Sequence, residues 1–198
     1  MPGPTAAQPT LISALWSAGE RSSFLRNAIL AVAGTLLLTV SAKIQVPFWP
    51  VPMTMQTFAV LVIGMAYGPR LGAATVALYL LEGAFGLPVF AGTPAKGIGL
   101  AYMMGPTGGY LAGFLVSAYV VGLLAKRGWD RGLLSGVAAM TIGTGIIFAW
   151  GYAWLTVLIG PASAFAAGVL PFLPGAALKI ALAAALLAAS WRMLKRRA

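Results

Sequence analysis

The stretch LLSGVAAMTIGTGIIFAWGYAWLTVLI at residues 133–159 contains no charged side chain, and it decides the class of fold. A helix rises 1.5 Å per residue, so about 20 apolar residues cross a hydrocarbon core of about 30 Å. This stretch is longer than that minimum. It therefore predicts a transmembrane helix, and several other long uncharged runs flank it along the chain. The protein is expected to be an integral membrane protein.

The composition of the whole chain supports the same class. Of the 198 residues, 60% are apolar and only 8% are charged. A soluble domain must keep a polar exterior, so it cannot bury this much apolar surface. The net charge of +10 comes from short basic clusters between hydrophobic runs, a pattern typical of membrane topology. We therefore expect contact with a lipid bilayer and no nucleic-acid partner.

Missing residue types exclude several kinds of chemistry. The chain has no cysteine and no histidine, which excludes disulfides, thiolate or imidazole metal sites, cysteine nucleophiles and histidine relays. The sequence GTPAKG at residues 92–97 lacks the spacing of a Walker loop, so the chain is not expected to hydrolyse ATP by itself. Because no pair of nucleophile and base is visible, we predict a protein that is not an enzyme and needs no metal or cofactor.

Six hydrophobic segments divide the chain, at residues 27–44, 54–68, 71–85, 108–125, 133–159 and 175–194. The second and third are short for a bilayer, which suits a bundle hollowed on one side, where broken backbone lines a cavity. We predict an all-α, six-transmembrane-helix bundle over residues 25–198. Residues 1–24 are rich in Pro, Ala, Ser and Gly and are expected to form a flexible cytoplasmic segment. The repeats GMAYG at 64–68 and GYLAG at 109–113 predict close approach of helix backbones.

The basic residues predict the orientation of this bundle. With six spans and a cytoplasmic N-terminus, ten of the thirteen bases fall on the inner side and both termini are cytoplasmic. These ten are Arg21, Arg26, Arg70, Lys126, Arg127, Arg131, Arg192, Lys195, Arg196 and Arg197. Dividing residues 133–159 into two spans would move the C-terminal bases outside, so one long span is the preferred interpretation.

Three lysines remain on the predicted outer face: Lys43, Lys96 and Lys179. The outer loops at residues 45–53 and 86–107 contain prolines, glycines and aromatic residues, whereas the inner loops are only a few residues long. Long loops on one face of a compact bundle are commonly lids or binding loops. We therefore expect the functional site at this face.

Lys179 is the only charged residue between positions 132 and 191, and Glu82 is the only acid inside a predicted span. A charge in hydrocarbon costs about 2.5–3.5 kcal/mol on insertion scales, so such residues usually have a partner or a ligand. One interpretation is a structural ion pair between the two. The other is a pocket in which Lys179 binds a ligand carboxylate and Glu82 accepts from ligand N–H groups. The apolar wall would then come from Phe48, Trp49, Phe90, Tyr102, Met103, Met104 and Phe172.

Four stretches together resemble the BioY family, the biotin-binding membrane (S) components of energy-coupling factor (ECF) transporters. They are VPMTMQTFAV at 51–60, GLPVFAG at 86–92, GPTGGYLAGF at 105–114 and PFLPGAALK at 171–179. The resemblance implies a six-helix S-component fold that opens outward, with a high-affinity vitamin site beneath the outer loops. It also implies biotin uptake across a bacterial cytoplasmic membrane, with docking onto a scaffold subunit that carries two ATPase subunits.

Within this resemblance, Lys179 matches the family's binding lysine. Biotin has a carboxylate that needs a cation, a ureido group that needs an acceptor, and a ring that needs an apolar wall. The candidate substrate-binding residues are Lys179, Glu82, Phe90, Tyr102, Lys96 and Phe172. The alternative function is a solitary or proton-coupled secondary transporter of biotin or a related carboxylate, with Glu82 as the titrating group.

Two positions depart from the family pattern. Position 176 is usually aspartate and takes part in the ligand site, whereas this chain has Ala176. Either Glu82 supplies the missing acceptor, or the affinity is reduced, or the ligand differs. S components also tend to carry an Ala-xxx-Ala docking patch in the first helix, where this chain has Ala31, Thr35 and Thr39.

Overall fold

The computed structural model describes residues 8–16, 20–47 and 49–196, most of which are helical. Each of the six predicted hydrophobic segments contains a helix of twelve residues or more. In chain order the helices are α1 (Leu11–Leu15), α2 (Glu20–Lys43), α3 (Gln56–Tyr67), α4 (Pro69–Ala84), α5 (Gly99–Met103), α6 (Gly108–Lys126), α7 (Leu133–Ile159), α8 (Pro161–Gly168) and α9 (Leu173–Lys195). A 3-10 turn, Leu170–Phe172, joins α8 to α9. Strands β1 (Gln45–Val46) and β2 (Met53–Thr54) pair antiparallel.

Four helical stretches of the described chain are long and apolar enough to cross a membrane, by length and composition. They are Ser23–Lys43, Gly108–Lys126, Leu133–Ile159 and Pro161–Leu194. Helices α3 and α4 are shorter, with 12 and 16 residues. At 1.5 Å per residue, α3 extends about 18 Å, well below the thickness of a hydrocarbon core. The short second and third segments predicted from the sequence are thus confirmed.

Glycine–proline pairs set two of the sharp helix boundaries. Gly68 after α3 has a φ of +83° and Gly160 after α7 has a φ of +82°, a conformation that glycine adopts without steric cost. The following residues, Pro69 and Pro161, begin α4 and α8, where the missing proline N–H is not needed. Helix α7 accordingly ends at residue 159, as the sequence predicts.

Two regions are more helical than expected from the sequence. Helix α9 begins at Leu173 and accommodates Pro174 in its first turn, and α8 and the 3-10 turn occupy a region predicted as a connection. Within the predicted flexible segment, Leu11 of α1 packs into the core and α2 already begins at Glu20. Residues 1–7 and 17–19 of that segment lie outside the described residues.

Small residues allow α3, α6 and α7 to approach closely. A Cβ added to Gly64 of α3 would lie 2.7 Å from Ala118 O of α6. A Cβ added to Gly113 of α6 would lie 3.0 Å from Ile147 Cα of α7. The close packing predicted from the glycine spacing is confirmed, and it places α6 between α3 and α7.

The bundle has two distinct ends. The loop end carries residues 44–47, 49–55 and 85–107. The turn end carries the α3–α4 turn, the α6–α7 turn at residues 127–132, and α1. One cluster of buried residues lies toward the loop end and includes Tyr79, Phe90 and Tyr102. A second lies toward the turn end and includes Leu11 and Trp191. The candidate site is found at the loop end.

Candidate ligand-binding site

A cavity lies at the loop end, bounded by α3, α6, α7, α9 and the adjoining loops. The space between its lining residues, including the open mouth, is about 670 Å³. Its apolar wall includes Val51, Leu61, Leu111, Phe114, Phe148 and Phe172. Its polar groups come from Thr54, Gln56, Thr57, Tyr102, Thr107, Tyr110, Thr144 and Lys179. The arrangement suits a small, largely apolar molecule with polar ends.

Lys179 is the charged residue among the described residues that line this cavity. It lies on α9, and its Nζ donates to Thr54 O at 2.6 Å and to Thr57 Oγ1 at 3.2 Å. Both acceptors are uncharged. A lysine ammonium has three N–H donors, so one donor remains for a ligand. The sequence predicted an expensive charge, and the structure shows it stabilised by a carbonyl and a hydroxyl.

Glu82 does not line this cavity and is not a hydrogen-bond or ion-pair partner of Lys179 in the described structure. On the same helix, Tyr79 contacts Gln56 and Gly83 packs against the ring of Phe90. Helix α4 therefore meets the residues behind the cavity wall through Tyr79 and Gly83, and Glu82 is not among the residues that line the cavity. The ion pair that the sequence allowed as one interpretation is therefore not formed between these two residues.

Gln56 has a defined amide orientation. It is the first residue of α3 and is only 4% exposed. Its Nε2 donates to Tyr79 OH at 2.7 Å, and that hydroxyl donates to Val89 O at 3.0 Å. Because a carbonyl can only accept, the phenol hydrogen is committed to Val89 and the phenol oxygen must accept from the amide. Gln56 Oε1 faces the other way, accepts from Thr54 Oγ1 at 3.2 Å, and keeps a second lone pair.

Tyr102 and Phe172 line the cavity, whereas Phe90 lies one layer behind it. The fully buried Phe90 ring stacks on Tyr102 with 5.0 Å between centroids and meets Tyr79 edge-on at 5.4 Å. Burial raises the pKa of the Tyr102 phenol, which stays neutral and donates to Ala91 O at 2.8 Å. Phe90 thus supports the cavity wall through Tyr102 without lining it.

Lys96 is exposed and lies beside the main cavity. It lines a second cavity, of about 340 Å³ including its open mouth, that shares Pro52, Tyr102 and Thr107 with the main one. The two cavities therefore have a common wall. This position places the Lys96 cation near the main cavity but not among its lining residues.

Three other residues predicted for the apolar wall, Trp49, Met103 and Met104, do not line the cavity. Trp49 is 82% exposed, and Met104 is also exposed. Met103 lines a separate apolar groove between α6 and α7. Phe48 lies outside the described residues.

Several lining residues were not predicted from the sequence. Thr54, Gln56 and Thr57 lie in the stretch at 51–60 that carried the family resemblance, and Thr144 lies inside the uncharged α7. The energetic cost of burying a charge points only to charged residues, so it gives no signal for neutral polar side chains. A usable signal was present, since three polar side chains fall within four residues at the start of the apolar α3.

The fold and the cavity define a multi-pass helical membrane protein with a lined cavity beneath the loops at one end. A sequence model of the BioY family matches residues 12–196, almost the whole chain. The chain belongs to the BioY family. This confirms the family predicted from the four stretches of sequence.

Relatives and a solved structure agree with this assignment. The biotin transporter BioY of Thermotoga maritima is 42% identical over 163 residues, which cover 81% of this chain and 92% of that protein. The probable biotin transporter BioY of Pyrococcus horikoshii is 40% identical over 137 residues, covering 69% of this chain and 78% of that one. A crystal structure of the S-component for biotin from an ECF-type ABC transporter matches with a TM-score of 0.74. That match covers 86% of this chain and 93% of the other at 22% identity, and it shows a shared fold.

Proposed function

We propose that this protein binds biotin with high affinity and is the substrate-specific subunit of an ECF-type biotin uptake system. The observation that carries the proposal is the Lys179 ammonium, held by uncharged acceptors in an apolar cavity with one N–H donor to spare. A vitamin with one carboxylate and a largely apolar body needs a site of this kind. The related proteins that are named biotin transporters support this choice of ligand.

The cavity supplies a group for each part of biotin. Lys179 binds the carboxylate through a charge-assisted hydrogen bond. Gln56 Oε1 accepts from a ureido N–H, because its amide orientation leaves an oxygen lone pair available. Tyr102 and Phe172 pack against the ring and the chain. Gln56 thus takes the acceptor role that the sequence analysis gave to Glu82, in a cavity where Ala176 replaces the family's aspartate.

Titration of the purified protein with biotin and with biotin methyl ester tests this assignment. The ester lacks the anionic carboxylate, so it should bind at least about tenfold more weakly than biotin. Lys179→Met should lower the affinity for biotin and leave the affinity for the ester nearly unchanged, because both changes remove the same ion pair. A folded parent protein that does not bind biotin would contradict the proposed function. An equal loss for both ligands would contradict only the carboxylate role of Lys179.

We also infer six membrane crossings in a bacterial cytoplasmic membrane, with the turn end and both termini on the cytoplasmic side. Basic residues accumulate on that side of membrane proteins. The bases at the turn end include Arg70, Lys126, Arg127, Arg131 and Arg192, whereas Lys43, Lys96 and Lys179 lie toward the loop end.

The absence of cysteine makes the orientation testable by labelling. Single-cysteine variants Trp49→Cys at the loop end and Arg127→Cys at the turn end are treated in intact cells with a membrane-impermeant maleimide. Trp49→Cys should react and Arg127→Cys should react only after the cells are opened. The reverse pattern would invert the proposed orientation.

A scaffold subunit with two ATPase subunits is the proposed partner, but the small-residue stripe of α2 is not a free docking patch. Thr35, between Ala31 and Thr39, is only 2% exposed. On the same helix, Gly34 packs against Thr75 of α4. The exposed side of α2 carries larger apolar residues, among them Val32, Leu36, Leu37 and Val40. A partner that contacts α2 in this conformation would meet this larger apolar surface.

Co-expression with an ECF module tests the partner assignment. Co-purification and ATP-dependent biotin uptake support it. Uptake that collapses with an uncoupler, in vesicles that lack any ATPase partner, would instead favour the proton-coupled alternative. That alternative assigned the titrating role to Glu82, which does not line the cavity.

A further inference from the structure

One side of the cavity is covered by residues 88–93, here called the cap loop. It forms turns without a regular helix or strand, and Ala91 of this loop lines the cavity. Carbonyl groups in such a loop have no ladder or helix partner, so they need other donors. In the cap loop, side chains from α2, α4 and α5 supply most of them, and the Thr93 hydroxyl of the loop itself donates to Phe90 O at 2.7 Å.

Two buried tyrosines hold the inner side of the cap loop. Tyr79 OH of α4 donates to Val89 O at 3.0 Å, and Tyr102 OH of α5 donates to Ala91 O at 2.8 Å. The Phe90 ring is packed between these two tyrosines. This side of the loop is therefore anchored to buried residues of the core.

Lys43 holds the opposite, solvent-exposed side of the cap loop. It is the last residue of α2, and its Nζ lies 2.7 Å from Pro88 O, 3.0 Å from Phe90 O, 3.2 Å from Thr93 O and 3.1 Å from Thr93 Oγ1. An ammonium has three N–H donors, so four acceptors within this distance engage it completely.

The cation is also needed by the loop conformation itself. Three carbonyl oxygens converge on one point, and their partial negative charges repel each other unless a positive charge lies between them. Lys43 supplies that charge from a side chain that is exposed and outside the buried clusters. Its removal should therefore loosen the loop without disturbing the packed bundle.

We propose that Lys43 is a positioning residue that holds the cap loop closed over the cavity and so limits the rate at which ligand leaves. The identity of that ligand rests on the proposed function, whereas the hold on the loop does not. Lys43 does not line the cavity and acts through Ala91 and its neighbours. Its effect belongs to dissociation kinetics and loop opening, since the lining residues themselves are unchanged.

Lys43→Met tests the proposal because it removes the charge and the donors but keeps most of the side chain's length. Loss of the charged hydrogen bonds should increase the biotin dissociation rate by about tenfold, measured by chasing bound radiolabelled biotin with an excess of unlabelled vitamin. Amide hydrogen exchange on the ligand-free protein should become faster at residues 89–93 and stay unchanged in α6 and α7. Lys43→Arg should restore most of both properties, because a guanidinium also donates to several carbonyls.

Ile44→Ala is the matched control. It truncates the neighbouring exposed side chain, which forms no hydrogen bond with the cap loop. The biotin dissociation rate and the amide exchange at residues 89–93 should therefore stay as in the parent. Parent-like exchange and dissociation in Lys43→Met would overturn the proposal. So would faster exchange throughout the bundle, which indicates a general structural role. If the parent itself does not bind biotin, the proposed function fails, and the exchange measurement alone decides whether Lys43 holds the loop.

Discussion

The turn end and the loop end of this bundle are held together by different interactions. At the turn end, apolar side chains such as Met65, Met140 and Leu187 are almost completely buried, and short turns join the helices. At the loop end the same helices leave a cavity, and side-chain hydrogen bonds from Lys43 and Lys179 hold the loops around it. A hydrogen-bonded loop can open at lower cost than a packed core. Mutations at the turn end should therefore change stability, and mutations at the loop end should change ligand binding.

The largest expected effect is at the loop end. Lys179→Met should weaken biotin binding by about thirtyfold or more, because the buried carboxylate loses its charged partner. The midpoint of thermal unfolding should stay the same or rise, since a cation without a carboxylate partner is removed. A large fall in that midpoint, measured on the ligand-free protein, would break the proposed separation between the two ends.

The next effect is at the turn end. Trp191 Nε1 donates to Asp130 Oδ2 at 2.6 Å, and Arg131 lies 4.5 Å from the centre of the indole ring. Trp191→Phe should reduce the free energy of unfolding by about 1.5–3 kcal/mol, because a buried carboxylate loses a hydrogen bond. Biotin affinity should not change. Trp154→Phe is the control, since its indole donates to the neutral Gly105 O and its loss should cost less.

Gln56→Leu tests whether Gln56 belongs to the ligand site at the loop end. It removes the proposed ureido acceptor and should weaken biotin binding by about tenfold, as expected for one hydrogen bond in a buried site. Thr141→Val on the exposed side of α7 removes a hydroxyl that bonds only within its own helix and serves as the control. Parent-like affinity of Gln56→Leu in the same titration would remove Gln56 from the ligand site.

A pH effect should arise at the turn end. Burial is the main cause that raises the pKa of Asp130, which is 1% exposed and lies outside the membrane-spanning segments, and the hydrogen bond from Trp191 offsets this in part. The folded protein then keeps the carboxyl proton at a pH where the unfolded chain has lost it. Stability should therefore fall as the pH rises above the usual carboxyl pKa of about 4 and through the raised value. Asp130→Asn should flatten this dependence in thermal unfolding curves, and an unaltered slope would show that another group causes it.

The smallest effect concerns the cap loop. Thr93→Val removes one of the four acceptors around Lys43 and also the Thr93 Oγ1 donation to Phe90 O at 2.7 Å, and it keeps the three carbonyls. The dissociation rate of biotin should rise only about twofold to threefold, since the Lys43 charge and its three carbonyl partners remain. A change as large as that of Lys43→Met would show that the Thr93 hydroxyl, and not the lysine, holds the loop.

Much of the fold could be predicted because hydropathy and helix-ending Gly–Pro pairs can be read from short stretches of sequence. The bounds of α7 follow from an uncharged run that ends at Gly160–Pro161. The helical character of residues 161–172 was missed, because a segment rich in Ala, Gly and Pro has weak local preferences and becomes helical by packing. Ala164 and Phe172 of this segment are buried in the bundle.

The candidate site could be predicted only in part, because hydropathy gives depth along a helix but not rotation about it. Lys179, Tyr102 and Phe172 are placed at one cavity, whereas Glu82 does not line it. A change of one position rotates a helical side chain by about 100°, and tertiary packing decides which face meets the cavity. The role of Lys43 depends on three carbonyls of a distant loop, which no local pattern reveals.

The uncharged partners of Lys179 have an electrical consequence. Because they are a carbonyl and a hydroxyl, the described lining of the cavity carries one full positive charge. A bound carboxylate cancels that charge. Moving one elementary charge through a membrane potential of 100 mV involves about 2.3 kcal/mol, and a neutral lysine–carboxylate pair avoids this work. We therefore expect the lining of the liganded cavity to respond less to the membrane potential than the lining of the ligand-free cavity.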